Sequence, residues 1–353
     1  MIVARPPLAV LAVLLAMPAA VRAEEAKSTK TYENRLAPID DPRPILADYP
    51  EFVEPVVCPV RFEAPPLVDD DQADLAVRAW RFSYNLRGVV ELPNRLKGRD
   101  TAVIVVHPWG IDDGQGWTTP QPAGIAFQCT VEKNEICNRH MAQVVNPLLK
   151  KLRDRVGLVL YSLPGVEDPI RKQVYRSFRG KPSDLDRKAG AKALTARLRG
   201  FDYHGEALPS VLTLSEEHPV SDYFRQFGGT DSSDRFNAEG FWKLPIPVNK
   251  NIQVAPDDVV IYDGEGYGPL RDFLREQGIR HVLLTGYNTD MCFCATTAGY
   301  DNLSPDFNVF LVGDATLATF PANPSPRFAT NASISLASRE HLITQASWIE
   351  INP

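Results

Sequence analysis

One feature constrains the fold of this chain more than any other: a series of short, almost purely apolar runs. Ala102-Val103-Ile104-Val105-Val106 has no polar residue at alternate positions. A strand with one wet face would alternate, so this run reads as a strand covered on both sides. Comparable runs recur at Gly157–Leu163, Asp258–Tyr262, His281–Leu284 and Phe307–Val312, with a last strand expected around Trp348–Ile351. Helices are expected between them. One covers Met141–Arg155, where Asn146-Pro147 either kinks it or opens a second helix at its first position. Another covers Leu270–Gln277 and is stopped by Gly278, and a last one covers residues 329–345. Strand and helix alternate at separations suited to right-handed crossovers. The expected fold class is α/β, a doubly wound and mostly parallel sheet in three Rossmann-like layers.

Outside this alternation the chain has three further parts. Arg5, an apolar run from Leu8 to Met17 and the small residues up to Ala23 form the pattern of a signal peptide over residues 1–23, which implies export to the periplasm or the cell exterior. The run is too short to span a bilayer, so no membrane association is expected once the signal is removed. Residues 24–100 read as a proline-rich, acidic arm followed by a small β-hairpin extension with its turn around Asn85–Gly88. Residues 101–353 form the α/β domain, with a long insertion at about 164–250 that carries Phe236, Phe241 and Trp242 and reads as a lid.

Open α/β sheets place their chemistry just beyond the carboxyl ends of the strands. Three such places carry reactive side chains. After Val106 comes His107, with Trp109, Asp112 and Asp113 close behind. After Tyr262 comes Asp263, in a glycine-rich turn that lacks both the P-loop and the dinucleotide pattern, so no cofactor is expected. After the run ending at Leu284 comes Thr285-Gly286-Tyr287-Asn288-Thr289-Asp290-Met291-Cys292. Ala295 to Tyr300 then reads as a helix, which puts Cys292 in a first helical turn. A thiol there faces unpaired amides and the positive end of the helix dipole, which favours its thiolate. Amides of the turn at Asn288, Thr289 and Met291 could hold an oxyanion. The five cysteines are an odd number; Cys129 and Cys137 are near enough in sequence to bridge, and Cys292 is expected as a thiol.

Gly286-x-x-Thr289-x-x-Cys292-x-x-x-Thr296, preceded by Val282-Leu283-Leu284 and followed by Val309-Phe310-Leu311-Val312-x-Asp314-Ala315, resembles the isochorismatase-like cysteine hydrolase superfamily. The resemblance implies an isochorismatase-like fold from about Thr101 to Ile351, a small-molecule substrate and Cys292 as nucleophile. It also implies an Asp at the end of the first strand and a Lys just after the third. This chain has His107 and Asp263 there. The second strand ends in Ser162-Leu163-Pro164 in place of the Asp-x-His by which nicotinamidase-like members bind a metal, so no metal is expected. Family members are often dimeric or larger, so a homo-oligomer is allowed.

A histidine can take the thiol proton and then stabilise the thiolate as imidazolium, and a carboxylate can orient its ring. The catalytic candidates are therefore Cys292, His107 and Asp263, acting on an amide or ester-like carbonyl. A metal held by His107, Asp112, Asp263 and Glu265 fits in ligand type but not in spacing. With both the family's Asp and Lys replaced, a catalytically silent binding or scaffold protein is the alternative. A net charge of −6 offers no basic field, so nucleic acid is not expected as a partner.

Overall fold

A computed structural model describes residues 29–83, 85–108, 131–199, 211–226, 248–289, 292–318 and 345–351. Residues 1–33 and 34–353 form two separate units. Of the first, Thr29–Glu33 is described as irregular chain in which Lys30 stands over the Tyr32 ring. The signal-peptide reading of residues 1–23 lies outside the described residues, as does the helix expected at 329–345 except for Gln345, which opens a strand.

In the second unit, β1 (Ala37–Pro38), β2 (Arg61–Glu63), β3 (Leu75–Ser83) and β4 (Gly88–Leu96) precede β5 (Thr101–Val106). A helix then runs as α1 (Val131–His140), a π-helical turn (Met141–Val145) and α2 (Asn146–Leu152), leading to β6 (Leu158–Leu163). The stretch expected as an insertion carries α3 (Pro169–Val174), α4 (Asp184–Arg199) and α5 (Pro219–Gln226). After it come β7 (Val259–Tyr262), α6 (Tyr267–Glu276), β8 (His281–Tyr287), α7 (Cys292–Ala295), α8 (Tyr300–Leu303), β9 (Asn308–Leu317) and β10 (Gln345–Ile351).

Among the described residues, ten strands join one sheet, in the order β1-β2-β4-β3-β10-β9-β8-β5-β6-β7. From β10 to β7 every neighbouring pair is parallel. Chain order rises outward from β5 on one side and from β8 on the other, so the sheet reverses direction between them. That is the switch point of a doubly wound sheet, where a crevice opens at the carboxyl edge. The hairpin β3–β4 does not stand apart from this sheet. It continues it, because β3 pairs antiparallel with β10 over six registered positions.

All six residues of β5 are buried, as are all six of β6 and all four of β7. Alternate side chains feed two different cores. Val103, Val105, Val159, Tyr161, Val260 and Leu283 pack with Met141, Val145 and Leu149 of the long helix and with Ile45 and Phe52 of the arm. Ala102, Ile104, Val106, Leu160, Ile261 and Leu284 pack on the opposite face with Leu270 and Leu274 of α6 and with Phe293. Each buried aliphatic side chain contributes about 1.5–3 kcal/mol. The sheet is therefore fixed from both sides, and its carboxyl edge is a rigid platform.

Two helix boundaries differ from the sequence reading. The helix expected from Met141 begins ten residues earlier, at Val131. Pro147 lacks an N–H and its ring crowds the carbonyl one turn back; the wide turn Met141–Val145 precedes it, and α2 opens at Asn146 with Pro147 in its first turn, the second of the two expected forms. The helix expected over Ala295–Tyr300 is broken into α7 and α8. Gly299 folds back so closely that a Cβ there would meet the Cys294 carbonyl oxygen at 2.7 Å, and its N–H donates to Thr296 O. Among the described residues no helix is long and apolar enough to cross a membrane.

Candidate active site

Val106 and Gly286 are register partners at the carboxyl ends of the two switch-point strands, β5 and β8. Gly286 has φ +106, and a Cβ on it would lie 2.0 Å from the Val106 carbonyl oxygen. Only glycine allows the strands to approach this closely. The approach brings together the segments that follow, His107 on one side and the Cys292 turn on the other.

His107 is 3% exposed and has φ +41, a backbone conformation costly for a residue with a Cβ. It is held there by its N–H, which donates to Ser162 O at 2.9 Å. Its Nε2 lies 2.9 Å from Oδ2 of Asp263, off the ideal hydrogen-bond line but well within ion-pair range. Burial alone would pull its pKa down. Asp263 and Cys292 beside the ring outweigh burial and lift it to about 9. At neutral pH the ring is therefore an imidazolium between a carboxylate and a sulfur.

Asp263 begins a short 3-10 turn, Asp263–Glu265, at the end of β7. Gly266, with φ +82, closes that turn and lets α6 begin. One further contact, which the sequence reading did not single out, ties this turn to the nucleophile. The Thr297 hydroxyl donates to the Asp263 carbonyl oxygen at 2.8 Å. Thr297 lies five residues after Cys292, on the loop between α7 and α8, and a threonine in such a loop gives no sequence signal of its partner.

Cys292 is half-buried and opens α7, packing against the same core as Phe293 and Cys294. A helix of four residues has little dipole, so the macrodipole expected at Cys292 is not what acts there. What acts on the sulfur is His107. The turn is held by its own bonds. Phe293 N–H donates to Asn288 O at 3.2 Å, and Thr289 N–H donates to Leu317 O at 3.0 Å. The Thr289 and Thr316 hydroxyls lie 3.0 Å apart. Thr289 thus commits its amide to the turn rather than offering it to an oxyanion. Asn288 is fully buried and its preceding peptide bond is cis. Met291, Trp109, Asp112 and Asp113 lie outside the described residues.

The structure therefore brings His107, Asp263 and Cys292 into one cluster. Glu265 turns away from them: its Oε2 accepts the Tyr262 N–H at 2.9 Å. Among the described residues, no three His, Cys, Asp or Glu side chains are grouped to hold a metal ion. Cys58 and Cys292 are thiols, and Cys129, with the bridge to Cys137 that the spacing allows, lies outside the described residues.

Residues 249–333 match the family model described as the Isochorismatase domain. No curated protein matches the chain. Among solved structures, the pyrazinamidase/nicotinamidase of Streptococcus mutans UA159 is 14% identical, over 67% of this chain and 94% of that one, with a TM-score of 0.28. The matched segment runs from the approach to β7 through Asp263, α6, β8, the Cys292 turn and β9, so the part of the chain that carries Asp263 and Cys292 is similar to the Isochorismatase domain.

Proposed function

We propose that this protein is an exported cysteine hydrolase in which Cys292 attacks an amide or ester-like carbonyl of a small molecule. The observation that carries the reading is the buried His107 ring, charged at neutral pH and shared between Asp263 and the Cys292 thiol. With the ring protonated, the reacting form of the pair is a thiolate beside an imidazolium. The sulfur adds to the carbonyl carbon. The imidazolium gives its proton to the departing amine or alcohol as the C–N or C–O bond breaks, leaving a thioester. The neutral ring then takes a proton from water as that water attacks the thioester, which releases the acid and restores the ion pair. Asp263 orients the ring and balances its charge in every state.

The replacement of the family's Asp and Lys favours a second reading, a silent binding protein. The two separate cleanly in an acid-quench experiment. The wild-type chain, mixed with a panel of aryl esters and primary amides, is expected to gain one acyl mass on the peptide containing Cys292. The adduct is absent in Cys292→Ala, and in His107→Ala its formation slows by about 100-fold or more. An identical slow acylation in wild type and His107→Ala would leave the silent reading standing.

A further inference from the structure

Asp263 meets His107 from a turn that is held in part by a side chain the proposed reaction does not use. β7 is the last strand of the sheet and pairs with β6 along one edge. N–H groups alternate in direction along a strand, so those of Val260 and Tyr262 face the other edge. Val260 N–H donates to Arg176 O at 2.8 Å. Tyr262 N–H, two residues on, donates to Glu265 Oε2 at 2.9 Å. Asp263 follows at once, and further bonds hold its turn. Gly264 N–H donates to Gly165 O at 2.8 Å, and the Asp263 carbonyl oxygen accepts Gly266 N–H at 3.1 Å and the Thr297 hydroxyl at 2.8 Å. Glu265 therefore anchors the strand end from which Asp263 departs, on the edge of β7 turned away from β6.

The other oxygen of this carboxylate, Oε1, is buried without a hydrogen-bond partner. Together with Tyr262, Glu167, Arg171 and Lys172, Glu265 lines a cavity of about 10 Å³ between the end of β7 and α3, room for one water. Burial raises the Glu265 pKa, Glu167 adds a like charge, and Lys172 and Arg179 oppose both. A carboxylate is costly at such a place, and an apolar side chain of similar size would fill it without that cost. What an apolar side chain lacks is an acceptor for the Tyr262 N–H. Nor is the charge of Glu265 what acts on the imidazole, which answers to Asp263 and Cys292. The bond to the strand end is the contribution that remains.

We propose that Glu265 is a positioning residue: by holding the Tyr262 N–H it fixes the turn from which the Asp263 carboxylate meets the His107 ring, 2.9 Å away. Its part in turnover rests on the hydrolase reading, and it acts through Asp263 rather than on the reacting atoms. The test follows the His107 ring by its imidazole chemical shifts across a pH titration of the full chain. Glu265→Leu is expected to lower the midpoint by about one unit, a tenfold change in the ratio of charged to neutral ring. Glu265→Gln removes the charge but keeps an acceptor at the same reach, and is expected to hold the wild-type midpoint. If the leucine variant does not fold, Glu265→Asp, whose acceptor falls one methylene short, is expected to show the same fall. A midpoint unmoved in the leucine or aspartate variant, even with a lower melting temperature, overturns the proposal and leaves Glu265 a structural contact. An equal fall in the glutamine variant also overturns it, since charge and not the bond would then be the cause. The hydrolase reading is judged by the acyl adduct on Cys292 in the wild-type chain, which none of these outcomes touches, so the two can fail separately.

Discussion

At the scale of single residues, the site depends on which charge His107 carries. Buried among apolar side chains an imidazole would be neutral; Asp263 and Cys292 reverse that and hold it protonated up to about 9. The stability this adds is fully present below the unfolded histidine's value near 6.5 and is lost as pH rises through about 9. Asp263→Asn removes the carboxylate and is expected to bring the ring down by at least about one unit, read from imidazole chemical shifts across a pH titration. A ring that still titrates near 9 in that variant would remove Asp263 from its orienting role. His107, Asp263 and Cys292 could all be picked out in the sequence for one reason. His107 and Asp263 directly follow apolar runs and Cys292 follows one by a short turn, and the carboxyl ends of such runs converge in an open sheet. The pairing of His107 with Cys292 could be expected, but not the close approach that brings them together, which depends on the φ of Gly286 and of His107.

Among elements, the short pieces after β8 matter more than the long helices. The sequence suggested one helix from Ala295 to Tyr300; the chain instead turns at residues 296–299, and that turn lets Thr297 reach the end of β7. Small apolar residues do not reveal such a break, which comes from tertiary packing of Gly299 against the Cys294 carbonyl. The Thr297 hydroxyl couples the Asp263 turn to the Cys292 turn. Thr297→Val keeps the shape and loses the bond, costing about 0.5–1.5 kcal/mol of stability. Its expected signature is a larger fall in acylation rate than that loss explains, with substrate affinity unchanged and with rescue in Thr297→Ser. A rate that simply follows stability, with no rescue by serine, would reduce Thr297 to a structural contact. The π-helical turn at Met141–Val145 was partly legible through Pro147, which marked a disturbance but not its form.

For the whole molecule, the N-terminal residues belong to the fold more fully than their composition suggests. The proline-rich segment supplies Ile45 and Phe52 to the core, and Phe52 stacks edge-on against the buried His140 ring at 5.1 Å. His140 Nε2–H donates to the Asp314 carbonyl oxygen at 2.7 Å and its Nδ1 accepts the Tyr287 hydroxyl at 2.8 Å. Burial lowers its pKa to about 4, so the stability it adds is lost as pH falls from about 6.5 toward 4. Asp314 is the opposite case. Burial, then the nearby Asp48 carboxylate, raise it to about 7, and its Oδ1 has no partner. A raised carboxyl pKa makes the fold less stable as pH climbs from about 4 to about 7. Asp314→Asn is therefore expected to raise the melting temperature at pH 8 by several degrees and to leave it unchanged near pH 4. An equal shift at both values would mean that charge is not the cause. The parallel core of this sheet was readable from its apolar runs, and so was the hairpin. Their union into one sheet through β10 was not, since strand order is set by packing and β-branched runs carry no record of their neighbours.

The most direct test of the Cys292–His107 pair is the pH dependence of alkylation by iodoacetamide, followed by intact mass on the Cys292 peptide. At mildly acidic pH the wild-type rate is expected to exceed that of His107→Ala by about tenfold or more, the variant following the profile of an ordinary thiol with a midpoint at about 8.5. A wild-type profile with that same ordinary midpoint, unmoved by the loss of His107, would contradict the pairing on which the proposed chemistry stands.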